Sequence, residues 1–149
     1  MTGITPELHK KLGINLFNKV WGLIDNNNRS EEDTELMINA AHASLYHWMQ
    51  VGEPVNFARG EWQVSRVYCL AGRSEPALHH AANSLRICLQ NNIGDFDLAF
   101  AYEALARAYA LAGNKQKTTE NVALALTASG GIKKKEDKDY FLSELNTIK

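Results

Sequence analysis

The sequence predicts an all-α protein, an antiparallel array of about seven helices folded as consecutive helical hairpins. Three observations carry this. Apolar residues recur every three or four positions, and almost no stretch alternates with the period of two that a half-buried strand needs. The three prolines, Pro6, Pro54 and Pro76, each stand where a helix could begin. Finally, the stretch SRVYCLAG at residues 65–72 returns as ARAYALAG at residues 106–113, with Arg, Tyr, Leu, Ala and Gly in register.

The first helix starts at Thr5 as N-cap, with Pro6 in its first position and Glu7 in its first turn. Leu8, Leu12, Leu16, Val20 and Leu23 form its stripe, widened by Phe17, Trp21 and Ile24, until DNNNRS at 25–30 stops it. Ser30 and Asp33 make a capping-box start for the second helix, and Glu31 and Glu32 favour the positive end of its dipole. That helix carries Leu36, Ala40, Ala41, Leu45 and Trp48 to about Gln50. After VGEP, a third helix runs from about Val55 to Ala71, closed by Gly72. Ser74 caps the fourth, whose stripe is Ala77, Ala81, Leu85 and Leu89, and NNIGD at 91–95 is a loop. The fifth spans about Asp97 to Ala112 and closes at Gly113. The sixth spans Lys115 to Ala128, ended by SGG. A last helix covers Lys135 to Thr147 with Tyr140, Phe141, Leu145 and Ile148 on its apolar side.

The third and fourth helices align with the fifth and sixth without a gap, 41 positions apart. Val64 falls on Leu105, Ser65 on Ala106, Tyr68 on Tyr109, Gly72 on Gly113, Ala82 on Ala123 and Leu85 on Leu126. This pattern of a large apolar residue, a small one, Tyr three later and Gly four after that resembles the tetratricopeptide repeat superfamily. The physical reasons differ by position. A small residue is needed where helices cross closely, a ring fills the space beside the crossing, and a glycine takes positive φ at the turn. Thr118 departs from the pattern, standing where the motif has an alanine, as Ala77 does in the first repeat. The spacing exceeds the roughly 34 residues of the common repeat. The extra residues fall around Gln90 to Phe96, which resembles the longer repeats of kinesin light chains. The whole-chain pattern is also similar to short bacterial proteins of the superfamily. The resemblance divides the chain into a degenerate leading helix pair at 1–54, two repeats at 55–131 and a capping helix at 132–149.

The resemblance implies a module that binds a protein or peptide along a groove lined by the first helices of successive pairs, without catalysis. Carried over position by position, that groove set is Arg59, Trp62, Gln63, Arg66, Glu103 and Arg107. Arg66 and Arg107 are equivalents one repeat apart, and two guanidinium forks facing one groove suit a carboxylate or phosphate. Glu103 and Arg107, four apart on one helix, can equally pair with each other. Trp62 reads as a recognition aromatic or as a residue turned into the core, whereas Trp21 and Trp48 lie on apolar stripes and read as core. Terminal faces left by a two-and-a-half-repeat array make a homo-oligomer a further expectation.

Composition narrows the function classes. The chain has 149 residues, 45% hydrophobic and 22% charged, with a formal net charge of −1. That balance argues against a non-specific nucleic-acid binder, and IKKKEDK at 132–138 is nearly neutralised by its own acids. The start, MTGITPELHK, has no basic segment followed by an apolar run, and no window approaches the roughly 18 apolar residues of a membrane span. Cys69 and Cys88 sit in helical patterns rather than a CxxC, so reduced thiols and a cytoplasmic setting are expected. No GxSxG, GxxxxGK[ST], GxGxxG or Cys-His signature supports catalysis, and no cofactor is implied. The histidines raise an alternative, a helical small-ligand or metal-binding protein with enzymatic potential. His42 and His47 lie about 140° apart around one helix and cannot share a face, and His79 and His80 diverge by about 100°. Either of the first two could still meet His80 from another helix, together with Glu61. Surface or hydrogen-bonded histidines are the simpler reading.

Overall fold

Local capping marks where the first two helices begin. The computed structural model describes residues 3–149; Met1 and Thr2, the first residues of the start read above for a signal segment, lie outside the described residues. Seven helices follow one another: α1 (Pro6–Ile24), α2 (Glu31–Val51), α3 (Pro54–Leu70), α4 (Ser74–Gln90), α5 (Asp95–Leu111), α6 (Lys115–Ser129) and α7 (Lys135–Leu145). The Thr5 side chain accepts from the Leu8 amide, and Ser30 and Asp33 exchange hydrogen bonds as a capping box. The described residues contain no strand, and none of their helices is long and apolar enough to cross a membrane.

Two helix starts differ from the sequence expectation. Ser74 is the first residue of α4 rather than its cap. The fifth helix begins at Asp95, two residues earlier than expected, because Asp95 itself turns the chain at φ 53°. Its Oδ1 accepts from the Phe96 amide at 2.8 Å, the local bonding that lets an aspartate tolerate the left-handed region. Asp97 is thereby carried into the helix's first turn, where its carboxylate faces α3.

The recurring stretch ends each helix in the same way. Gly72 and Gly113 have φ of 75° and 78°. After Gly72, the Arg73 amide donates to the Tyr68 carbonyl at 2.9 Å; after Gly113, the Asn114 amide donates to the Tyr109 carbonyl at 3.0 Å. These are the paired turns that a left-handed residue makes available. The small positions are also as the pattern requires. Ser65 and Ala106 are fully buried, and Ser65 Oγ donates to the Ala77 carbonyl of α4 at 2.8 Å.

Sequential helices pack against each other throughout, and α1 also touches α3, α3 touches α5, and α5 touches α7. The second helices α2, α4 and α6 make no comparable contact with one another. A hairpin array whose first helices touch and whose second helices do not curves towards the first set, so α1, α3, α5 and α7 form its inner side. Two larger cores hold the ends. Val20, Ile24, Met37, Ile38, Leu45, Val64 and Val67 join α1, α2 and α3. Ala99, Phe100, Ala125, Phe141 and Leu145 join α5, α6 and α7.

Because both turn glycines need positive φ, Gly72→Ala and Gly113→Ala should each lower unfolding free energy by about 1–2 kcal/mol. Gly22→Ala, in the last turn of α1 with open space around a new Cβ, should instead stabilise by a fraction of the about 1 kcal/mol that separates the two residues in a helix interior. Urea titration of the three variants checks both signs.

Candidate binding site on the inner face

Aromatic residues spaced four apart put two rings on one side of a helix. Phe17 and Trp21 do this on α1, and Phe96 and Phe100 on α5. Trp62 on α3 stands between them, its ring centroid 5.7 Å from Trp21 and 5.6 Å from Phe100. Tyr140 on α7 approaches Phe100 at 6.0 Å. The six rings line a cavity of about 230 Å³ whose floor includes Ala58 and Ser84. Arg59 and Asp97 complete the lining as a two-pronged pair, Nε to Oδ1 at 2.9 Å and Nη2 to Oδ2 at 3.1 Å. The bond to Asp97 holds the Arg59 proton even more firmly than usual. Burial, then Glu144, pushes the Tyr140 hydroxyl up, so it stays protonated and donates to Glu144 Oε1 at 3.1 Å.

Arg59 is the hinge of a longer track. A second cavity of about 190 Å³ lies towards Ile14, Asn18, Trp48 and Asn56. Another of about 340 Å³ lies towards Asp95, Lys133, Lys134 and Asp137. Arg59 lines all three, so an apolar centre is flanked by amides on one side and mixed charges on the other.

The expected groove residues divide into two sets. Arg59 and Trp62 line the cavity. Gln63 does not reach the surface at all: it is fully buried, and its Nε2 donates to the Phe17 carbonyl of α1 at 3.1 Å. Glu103 is buried as well. Its Oε2 accepts from Arg107 Nε at 2.9 Å and from Arg66 Nη2 at 3.4 Å, and its Oε1 accepts from Trp62 Nε1 at 3.4 Å. The two recurring arginines therefore converge on one carboxylate. Their side chains are only 10% and 19% exposed. Arg107 Nη2 also donates to the Glu144 carbonyl and to Thr147 Oγ1, which fastens the end of α7. Both arginines border a separate recess of about 320 Å³ near Leu70, Leu111 and Ile148, but they are already paired inside the protein, both with Glu103 and Arg66 also with Glu144 Oε1 at 3.8 Å. The pairing of Glu103 with Arg107 is the alternative that the geometry takes up.

Trp21 and Trp48 are half-buried and face cavities, so neither is the fully enclosed core residue its stripe suggested. Phe17, Phe96, Asp97, Phe100 and Tyr140 were not among the expected site residues. For Phe17, Phe96 and Phe100 the signal in the sequence is the repeated four-residue spacing of aromatics, which reads equally well as core; Asp97 and Tyr140 carry no such signal.

The histidines form two groups elsewhere. His42 Nε2 lies 2.7 Å from the Tyr68 hydroxyl, His80 Nδ1 lies 2.6 Å from Glu61 Oε2, and the two rings are 5.4 Å apart. His47 does not join them; its Nδ1 meets His9 Nδ1 at 2.8 Å. Among the described residues no group of three or more His, Cys, Asp or Glu is arranged to hold a metal ion, and no histidine lines any of the four cavities. Burial pushes both thiols up to about 11, so Cys69 and Cys88 are protonated at neutral pH.

No family model, curated protein or solved structure matches the chain.

Glu103→Ala leaves two arginines facing a buried void and should cost about 3–5 kcal/mol of unfolding free energy. Arg59→Ala removes a pair whose cation is 54% exposed and should cost no more than about 1 kcal/mol. Denaturant titration of the two variants separates the structural pair from the one beside the cavity.

Proposed function

We propose that the chain is a tetratricopeptide-like binding module that holds an extended peptide along the inner side of its helical array. The observation that carries this reading is the run of three cavities meeting at Arg59, with an aromatic pocket in the middle. The central cavity, about 230 Å³, is smaller than the roughly 300–1,000 Å³ of sites for drug-sized ligands. It suits one large apolar side chain. A row of polar and charged recesses on either side suits the residues before and after that anchor.

The two charged groups lining the pocket, Arg59 and Asp97, are paired with each other, so binding there draws on apolar burial and ring contacts rather than on charge. Asn18 and Asn56 offer amide groups to a peptide backbone on one flank. Lys133, Lys134, Asp95 and Asp137 offer both signs of charge on the other. The repeat of Tyr and Gly in the sequence supports the superfamily assignment, and the paired turns at Gly72 and Gly113 agree with it. The anchor reading places recognition on Trp21, Trp62 and Phe96 instead of on Arg66 and Arg107.

Selection from a random peptide library tests it. Recovered peptides should share a large apolar residue, and Trp21→Ala or Phe96→Ala should weaken their binding at least about tenfold, a loss of roughly 1.4 kcal/mol. Arg59→Ala should change the preferred flanking residues. Peptides whose binding is untouched by Trp21→Ala and Phe96→Ala would overturn the pocket as the recognition site.

A further inference from the structure

Both histidine pairs described above have one member on α2. His47 meets His9 on α1, and His42 faces His80 on α4. The contact between His9 Nδ1 and His47 Nδ1 at 2.8 Å needs one N–H and one bare lone pair. It accommodates two neutral rings, or one neutral and one charged. Two imidazolium ions would set N–H against N–H at hydrogen-bond distance.

The second pair has more neighbours. His42 Nε2 is against the Tyr68 hydroxyl, Tyr68 stacks on His80 with an interplanar angle of 10°, and His80 shares a short bond with Glu61. The contact of His80 with Glu61 is an ion pair whenever His80 carries a second proton. His79 is the other titratable ring nearby, 5.0 Å from His80. Beside the first pair stands Tyr46, 5.4 Å from His47 and 6.3 Å from His9. Glu61 is thus the one carboxylate in these contacts, and it serves His80 rather than His42. Burial first, then His80, holds the proton affinity of His42 below its ordinary 6.5, against the pull of Glu61. Burial, then His9, does the same to His47.

We propose that α2 is an acid-released clasp: charging both members of its two histidine pairs loosens α2 from α1 and breaks its side-chain contact with α4 through His42 and His80. The sign follows from linkage. His42 and His47 bind protons more weakly when folded, so the unfolded chain takes them up first. Their contribution is complete above about pH 6.5 and is lost as pH falls through the lowered folded values. The release reaches the aromatic cavity because α1 carries Phe17 and Trp21 and is held mainly by α2, with only a slight contact to α3. This last step, acid release of the bound peptide, rests on the proposed function above; the release of α2 does not.

Amide hydrogen exchange on the full chain tests the clasp at about pH 7.5 and about pH 5, corrected for the intrinsic pH dependence of exchange. Amides of α1 and α2 should exchange at least about tenfold faster at the lower pH, the effect of roughly one pKa unit, while those of α5 and α6 change little. The double variant His9→Gln/His42→Gln should remove most of that acceleration. The single variant His9→Gln, at a half-buried position in the otherwise exposed start of α1, should remove part of it if the double variant folds poorly. Equal acceleration in α5 and α6, no acceleration in α2, or undiminished acceleration in these variants would each overturn the clasp. Binding of a library-selected peptide at the two pH values separates the readings. Release of α2 with unchanged peptide affinity would leave the clasp standing and overturn its coupling to the cavity.

Discussion

The inner side of this protein is organised around one buried carboxylate. Glu103 is removed from water, and its charge is met by Arg66 from α3 and Arg107 from α5. An isolated carboxylate there would cost several kcal/mol, so both arginines are drawn inward instead of facing a groove. The consequences spread outward. Trp62 donates its indole N–H to the same carboxyl group, and the Arg66 guanidinium lies 5.2 Å from the Trp62 ring centroid. Trp62 is thereby held as the middle wall of the aromatic cavity. Arg107, already held by Glu103, has its other end free to bond the last turn of α7 and Thr147. One ionic cluster therefore connects the repeat units, the cavity and the terminal helix.

Close helix approach is the second constraint, and small side chains satisfy it with a polar link. Ser44 Oγ donates to the Gly13 carbonyl, Ser65 Oγ to the Ala77 carbonyl and Ser84 Oγ to the Ala58 carbonyl. Each joins the two helices of one hairpin. A hydroxyl there lets the backbones come near while leaving no unsatisfied donor inside. These crossings leave room for large rings on the inner side, where α1, α3, α5 and α7 converge. The aromatic cavity lies at that convergence.

Much of the fold is legible in the sequence because the signals for it are local. A cap acts over three residues, a helix stripe over four, and a turn glycine over one, so Thr5, Ser30, Gly72 and Gly113 can be read directly. The candidate site is less legible. Arg59 and Trp62, expected at the groove from their place in the repeat, line the central cavity. Gln63 and Glu103 are misplaced because a helix position gives a direction and not a depth. Phe96 and Phe100 are hidden by ambiguity: apolar rings four apart line a core or a pocket with the same spacing.

The sequence by itself determined the helices, their boundaries to within a few residues, and the repetition that makes two hairpins alike. Those properties follow from backbone geometry and the period of apolar residues. Only the tertiary structure decided which charges neutralise each other and which rings remain open. The deciding contacts join residues about one repeat apart: Arg59 with Asp97, Arg66 with Glu103, and Trp62 with Glu103. Arg66 looks like a free cation in the sequence because its partner lies 37 positions away, whereas the pairing of Arg107 with Glu103 is open to reading at a spacing of four. Folding brings both arginines to Glu103, with Glu144 Oε1 3.8 Å from Arg66 as the second carboxylate, so the two cations are paired inside the protein.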